Sequence, residues 1–88
     1  MAWIVEYARS VEKAMRKIDA PQRERIRDYL ERRVASLDDA RDLGDPLRGS
    51  FAGLWRYRVG DYRVICEIQD ERLVVLVVRV GHRRAVYR

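Results

Sequence analysis

The sequence is poor in the residues that build disulfides and metal sites. Its 88 residues include a single cysteine, Cys66, and a single histidine, His82. One cysteine excludes an internal disulfide, and one residue of each type excludes a zinc site made of His and Cys ligands within the chain. No segment approaches the roughly 20 apolar residues that span a bilayer. We therefore expect a protein that needs no cofactor or metal and has no membrane partner.

The first ten residues, MAWIVEYARS, also lack a charged leader followed by a long apolar run. Because the lone cysteine gives no reason to invoke an oxidising compartment, we expect a cytoplasmic location. A chain of 88 residues has room for one hydrophobic core but not for a second. The sequence therefore predicts a single domain over residues 1–88.

Lysine is scarce too, although the chain is basic. Of 19 basic residues only Lys13 and Lys17 are lysines, and the formal net charge is +5. The planar fork of arginine grips phosphate bidentately and keeps its charge at neutral pH. The excess of arginine therefore fits an anionic partner such as nucleic acid. The codon usage of a GC-rich genome is the alternative explanation. Where the arginines lie in the fold has to distinguish between these two explanations.

The hydrophobic pattern predicts a strand and two helices in the first half of the chain. Residues 3–7 alternate between apolar and other side chains, which is typical of a strand. Asp19 is predicted as the N-cap of the second helix, with Gln22 completing a capping box. Apolar residues recur at helical spacing on both sides of this N-cap. They are Val11, Met15 and Ile18 in the first helix, and Ile26, Leu30, Val34 and Leu37 in the second.

The charged exterior of the second helix has two interpretations. A row of charges opposite an apolar stripe is usually a solvated face. The alternative is a contact with a partner or a phosphate through Arg23, Arg27 and their neighbours.

The second half of the chain predicts a loop and three strands. Residues 38–53 are rich in Asp, Gly and Pro without a sustained period, so they form the loop. Strands follow over 54–59, 62–68 and 73–81, joined by tight turns at Gly60-Asp61 and near Asp70-Glu71. The last, LVVLVVRV, is apolar on both faces like a central strand. The fold class is therefore α+β: an antiparallel four-stranded sheet with two N-terminal helices packed on one face, in the order β-α-α-β-β-β.

A two-residue turn at Gly60-Asp61 sets Arg58 opposite Arg63. Like charges directly opposite on a sheet cost about 0.2 to 1 kcal/mol, so something has to offset their repulsion. Either the side chains splay apart or Glu67 pairs with Arg63, or the cluster holds a phosphate. The pairing predicts two faces: Trp55, Tyr57, Val59, Tyr62, Val64, Cys66 and Ile68 on the helix side, and Arg56, Arg58, Arg63 and Glu67 on the other.

The end of the last strand adds more cations and an aromatic residue. We expect Gly81-His82-Arg83-Arg84 to share the side of the sheet with the arginines but not the end that carries the Gly60-Asp61 turn. His82 is either a polar surface residue or the best available proton acceptor, since histidine is the side chain most suited to general-base catalysis near neutral pH. Tyr87 either packs at the C-terminus or stacks on an unpaired base. Cys66 is predicted to lie in the core.

Two segments carry a resemblance to a known family. The sequence PLRGSFAGLWRYRVGDYRVICEI, an arginine hairpin after a leucine-arginine-glycine loop, and the ending VVRVGHRRAVYR follow two short helices. In this order they resemble RelE-type toxins of bacterial and archaeal toxin-antitoxin systems, over nearly the whole chain. The resemblance implies a RelE-like fold and a metal-independent endoribonuclease that cleaves mRNA in the ribosomal A site and inhibits translation. It also implies contacts with 16S rRNA and silencing by a cognate antitoxin.

The resemblance further implies roles for individual residues. Arg63 matches the hairpin arginine that stabilises the scissile phosphate, Arg83 the arginine that helps the leaving group, and Tyr87 the tyrosine that stacks on the substrate base. Arg56 and Arg58 stand where the best studied members carry lysines, one of them a proposed general base. Arginine holds phosphate but is a poor proton acceptor. The predicted catalytic residues are Arg56, Arg58, Arg63, His82, Arg83 and Tyr87. The predicted RNA-binding residues are Arg56, Arg58, Arg63, Arg83, Arg84 and Tyr87.

Two alternatives to the nuclease stay open. A ParE-like toxin shares the fold and inhibits DNA gyrase by binding alone, and a shared fold does not decide function. A non-catalytic relative that binds RNA or the ribosome is the other alternative, with strong salt dependence and no cleavage. The combination of Arg63, Arg83 and Tyr87 favours the nuclease, whereas the missing lysines favour the alternatives.

Overall fold

A computed structural model describes residues 2–87 and gives the order of the elements. The chain starts with strand β1 (Ile4–Tyr7), then helix α1 (Arg9–Arg16) and helix α2 (Ala20–Asp28), which runs on into a π-helical segment, Tyr29–Val34. A 3-10 turn (Ala40–Leu43), the two-residue strand β2 (Asp45–Pro46) and a second 3-10 turn (Gly49–Phe51) follow. The chain then forms β3 (Trp55–Val59), β4 (Tyr62–Gln69), β5 (Val74–His82) and a last 3-10 turn (Ala85–Tyr87).

The sheet has five strands in the order β1-β5-β4-β3-β2, and it is mixed. β1 runs parallel to β5, while the other neighbours are antiparallel. The expected four-stranded antiparallel sheet was therefore wrong in two details, although the α+β class and the two helices on one face were right. The side-chain alternation of β1 predicts a strand but not its direction, which no hairpin fixes. β2 was not predicted because Asp and Pro are typical of loops.

The arginine hairpin has the predicted register. Arg58 pairs with Arg63 and Trp55 with Cys66, across a turn in which Gly60 has a φ of +60°. Glycine adopts this left-handed conformation without steric cost, which explains its place in the turn. β5 lies between β1 and β4, as its apolar character on both faces predicted.

The hydrophobic core lies between the helices and one face of the sheet. The two predicted helical stripes supply the helix side of this core, except that Leu37 is only half-buried. Asp19 does occupy the N-cap of α2, but its side chain makes no capping hydrogen bond, so the predicted capping box is absent. The main buried side chains are Val11, Met15, Ile26, Leu30, Val34, Tyr57, Val64, Cys66, Val75 and Val77.

Two arginines of α2 have structural contacts. Nη1 of Arg23 donates to the carbonyls of Met15 at 3.3 Å and Ile18 at 3.2 Å, which ties the end of α1 to α2. The guanidinium of Arg27 lies 5.4 Å from the centre of the Tyr7 ring, a cation-π contact. These two side chains therefore hold α2 against the end of α1 and against β1.

The segment before β3 is fixed by Tyr57. Its buried hydroxyl donates to the carbonyl of Ala40 at 2.6 Å. Gly44 lies against the Tyr57 ring, where an added Cβ would meet Cε1 at 3.2 Å. These contacts hold the segment close to the sheet, so that β2 pairs with β3 and Asp45 comes to lie beside Arg56.

Within residues 2–87 no helix is long and apolar enough to cross a membrane. In the same range no group of three or more His, Cys, Asp and Glu side chains is arranged to hold a metal ion.

Cys66 provides a test of the core. Its side chain is fully buried, and burial raises the pKa of the thiol above its ordinary value. Because the thiolate is the reactive form, we expect the native protein to resist a thiol reagent at about pH 8. Urea should make Cys66 react at the rate of a free thiol. Mass spectrometry of the labelled protein measures both rates, and fast labelling without urea would contradict this packing.

Candidate functional site

Three arginines line the face of the sheet opposite the helices, as the hairpin register predicted. Arg56 and Arg58 come from β3 and Arg63 comes from β4, directly opposite Arg58. The next residue along this row is Gly81 of β5, which pairs with Arg63 and has no side chain to cover it. We call Arg56, Arg58 and Arg63 the arginine face.

Asp45 supplies the negative charge that sequence reasoning missed. It pairs with Arg56 across β2 and β3, and its Oδ2 lies 3.1 Å from Nη2 of Arg56 and 3.9 Å from Nε of Arg58. Glu67, proposed as a partner for Arg63, instead accepts a hydrogen bond from Nε2 of Gln69 at 2.6 Å. A carboxylate on a short strand within a loop therefore offsets part of the arginine repulsion.

Arg63 is held at the hairpin turn and keeps free hydrogen-bonding capacity. Its Nη1 donates to the carbonyls of Gly60 and Tyr62, both at 2.9 Å. A guanidinium has five N–H donors. The donors on Nε and Nη2 make no hydrogen bond within the described part of the chain. The backbone thus fixes Arg63 and leaves the donors on Nε and Nη2 available.

Arg56 differs from its neighbours because it is mostly covered. Its side chain is 23 % exposed, and its Nη1 donates to the hydroxyl of Tyr87 at 3.2 Å. The hydrogen bond to Tyr87, with the one to Asp45, raises the pKa of Arg56. Its Nε is buried without a partner among residues 2–87, a cost that the two hydrogen bonds offset. Arg56 therefore anchors Tyr87 and is less free than Arg58 and Arg63.

Phe51 and Arg79 also hold the C-terminal turn, and sequence reasoning did not single out either. The Phe51 ring meets the Tyr87 ring edge to face, with centres 5.9 Å apart. Arg79 lies 5.4 Å over the Phe51 ring and donates from Nη1 to the carbonyl of Val86 at 3.0 Å. The sequence did contain a signal for Arg79, since it is a single charged residue within an otherwise apolar strand. The signal for Phe51, one aromatic residue in a loop, was weak.

Gly81 allows this turn to fold back onto the sheet. A Cβ on Gly81 would lie 3.3 Å from Cα and 3.4 Å from Cβ of Val86. Val86 is buried, and Ile65 is buried on the same face of the sheet, which indicates a small apolar cluster under the turn. Tyr87, itself 38 % exposed, is thereby brought to the arginine face.

The remaining predicted residues gather at the hairpin end of the sheet. The backbone N–H of Arg83 donates to the carbonyl of Asp61 at 2.8 Å, and His82 pairs with Tyr62. The expectation that these cations avoid the end of the Gly60-Asp61 turn was wrong, because in an antiparallel pair the end of β5 meets the start of β4. The side chains of Arg83 and Arg84 are exposed there.

His82 lies on the other side of the sheet from the arginine face. Its ring meets the Tyr62 ring edge to face, with centres 5.6 Å apart. Tyr62 belongs to the residues that pack against the core under the helices. The fold thus brings Arg56, Arg58, Arg63 and Tyr87 together and separates His82 from them.

Known proteins match both the sequence and the fold. The family model described as "ParE toxin of type II toxin-antitoxin system, parDE" matches residues 5–87. Toxin RelG of Mycobacterium tuberculosis is 44% identical over 46 residues, which cover 52% of this chain and 53% of RelG. Toxin RelE of the same organism is 40% identical over 52 residues, 59% of this chain and 54% of RelE. The chain therefore spans about half the length of the curated relatives it matches.

A solved structure extends the match to nearly the whole fold. A chain in the crystal structure of the toxin-antitoxin complex RelBE2 from Mycobacterium tuberculosis superposes with a TM-score of 0.85. The sequence identity is 24%, and the match covers 94% of this chain and 93% of that chain. At this identity the similarity establishes the fold alone.

Proposed function

The chain belongs to the family of ParE toxins of type II toxin-antitoxin systems. We propose that it acts as RelE-type toxins do, by cleaving mRNA in the ribosomal A site and so inhibiting translation. The observation that carries this proposal is the arginine face, where Arg58 and Arg63 oppose each other beside an anchored Tyr87. A protein that only had to fold would not need like charges in register. A bound phosphate turns their repulsion into attraction.

The proposed reaction needs no metal. The 2′-hydroxyl of the RNA gives its proton to solvent water and its oxygen attacks the adjacent phosphorus, while the bond to the 5′-oxygen breaks and that oxygen takes up a proton from solvent. Arg58 and Arg63 neutralise the charge that builds up on the phosphorane, with Arg56 supporting Tyr87 and Asp45. Arg83, next to the hairpin, serves the side of the leaving group. Tyr87 stacks on a base and thereby fixes the RNA in the attack geometry.

The position of His82, the predicted proton acceptor, does not fit this reaction. It packs against Tyr62 on the helix side, and the arginines are poor acceptors. We therefore assign most of the rate enhancement to orientation and charge stabilisation. His82→Gln should cleave at close to the wild-type rate, whereas the loss of a working general base would lower the rate by roughly 10² to 10⁴. A loss of that size in a folded variant, measured under single-turnover conditions, would restore His82 as the base.

We also propose a cognate antitoxin as the partner that silences this chain. The toxin of similar fold occurs in a complex with its antitoxin, RelBE2. A net charge of +5 favours an acidic or amphipathic polypeptide that wraps the basic surface. The ribosome, through 16S rRNA, and mRNA are the other partners of the proposed activity.

A second candidate function is inhibition of DNA gyrase by binding. The family model that matches residues 5–87 is that of ParE toxins, which favours this candidate. The absence of lysine at Arg56 and Arg58 agrees with it, since the proposed general base of the related nucleases is then missing.

Two assays with the purified protein separate the candidates. The nuclease should stop translation in a cell-free reaction and leave DNA supercoiling by gyrase unchanged. Inhibited supercoiling with normal translation would reject the nuclease in favour of the gyrase inhibitor. Blocked translation with intact mRNA would indicate a relative that binds ribosomes without cutting.

A further inference from the structure

Two further arginines lie on the second helix, beside the end of β3. A groove of about 300 Å³ runs between the second helix and the end of β3. Arg25 and Arg33 line it from the helix and Arg58 lines it from the strand. We call this the basic groove. Its other lining residues are Asp28, Tyr29, Val59 and Gly60.

The side chains of the basic groove are held in place. Gly60 leaves room for Arg25, because a Cβ at Gly60 would lie 2.8 Å from Nη1 of that arginine. The guanidinium of Arg33 lies 5.3 Å from the centre of the Tyr29 ring. Residues four apart on a helix are neighbours, which explains this contact. Two arginines of the helix therefore line the same opening.

The positive charge of the basic groove is largely uncompensated. Asp28, its only acidic lining residue, is paired with Arg32 at 3.1 Å. Neither Arg25 nor Arg33 forms an ion pair within residues 2–87, and Arg58 lies 3.9 Å from Asp45. Two arginines without a carboxylate partner at one opening are suited to bind a phosphate.

We propose that the basic groove binds the phosphate backbone of RNA, as a second contact that continues from the arginine face through Arg58. This inference rests on the proposed function, since it concerns the same RNA substrate and ribosome. An acidic antitoxin peptide is the other anionic occupant. The groove suits it less, because an amphipathic helix needs an apolar surface, and here Val59 is buried and Tyr29 is stacked on Arg33.

The test uses the double variant Arg25→Gln/Arg33→Gln and a matched control. Arg9→Gln/Arg16→Gln removes the same charge from exposed positions of α1. The probes are a 2′-O-methyl RNA oligonucleotide, which lacks the attacking hydroxyl, and mRNA-programmed ribosomes. Affinity is measured over a series of salt concentrations, and circular dichroism confirms that both variants fold.

We expect the groove variant to bind both probes roughly tenfold more weakly than wild type, and the control variant to bind like wild type. The slope of log K against log salt concentration should become shallower by about 1.4, since each lost contact with single-stranded RNA removes about 0.7. Weaker binding to ribosomes alone would also support the groove and identify ribosomal RNA as its ligand. Equal losses in the two variants would reject it in favour of a general charge effect.

Three further results would overturn the basic groove as an RNA site. They are unchanged binding by the groove variant, failure of the wild type to bind either probe, and weakened binding to the antitoxin alone. Adding Arg25→Gln/Arg33→Gln to Arg63→Ala keeps this test apart from the proposed function, because the groove substitutions should weaken binding by the same factor in a protein that does not cleave RNA. If the wild type binds through the groove but cuts no RNA, the result supports the basic groove as an RNA site and rejects the proposed nuclease activity.

Discussion

Arg63→Ala should lower the rate of RNA cleavage by about 10² to 10³, the usual effect of removing one donor positioned for the transition state. Arg63 is fixed at the hairpin turn by two carbonyl groups, and its donors on Nε and Nη2 make no hydrogen bond within residues 2–87. Its loss removes charge where the phosphorane forms and leaves the core untouched. Single-turnover cleavage on ribosomes measures the rate.

Two variants control for charge and for guanidinium geometry. Arg16→Ala removes the same charge from an exposed position on α1 and should cleave like wild type. Arg63→Lys keeps a positive charge but loses the bidentate fork, so we expect an intermediate rate. If Arg63→Ala cleaves as fast as Arg16→Ala, then Arg63 lies outside the site.

Tyr87→Ala should lower kcat/KM by about 10- to 100-fold, since the stacking of one base contributes about 1 to 3 kcal/mol. Tyr87 is held by the guanidinium of Arg56 and the edge of Phe51, yet part of its ring stays exposed for a base. Tyr87→Phe keeps the ring and loses only the hydroxyl that accepts from Arg56. We therefore expect its kcat/KM to lie much nearer to that of the wild type.

A double-mutant cycle tests whether Phe51 acts through Tyr87. Phe51→Leu should lower kcat/KM while Tyr87 is present and have little further effect on Tyr87→Ala. Thermal melts of all four proteins show whether stability changes in parallel. Additive losses would mean that Phe51 acts independently of Tyr87, and an unchanged kcat/KM for Tyr87→Ala would remove the stacking role altogether.

The parts of the fold that follow from local chemistry were predictable from the sequence. The hairpin register follows from a two-residue turn with glycine, and it fixed which side chains share a face. The stripes of Val11, Met15, Ile26 and Leu30 predicted the helices and their buried side because helical spacing leaves few alternatives. The three members of the arginine face were therefore predictable from the sequence.

The parts that depend on distant contacts were not predictable. Pairing between β1 and β5 is set by how the helices return the chain to the sheet, which no local pattern encodes. Asp45 reaches Arg56 only because Tyr57 fixes the preceding segment against the sheet. The side of the sheet taken by His82 follows from its pairing with Tyr62, and the sequence gives no register for the end of β5.

The central claim is that the arginine face cuts mRNA on the ribosome. Its most direct test is primer extension on a defined mRNA bound to purified ribosomes, with wild-type protein, with Arg63→Ala and with free mRNA as the control. The account predicts a new 3′ end at the A-site codon with wild-type protein, almost none with Arg63→Ala and none on free mRNA. Intact mRNA on ribosomes that have bound the wild-type protein would contradict it.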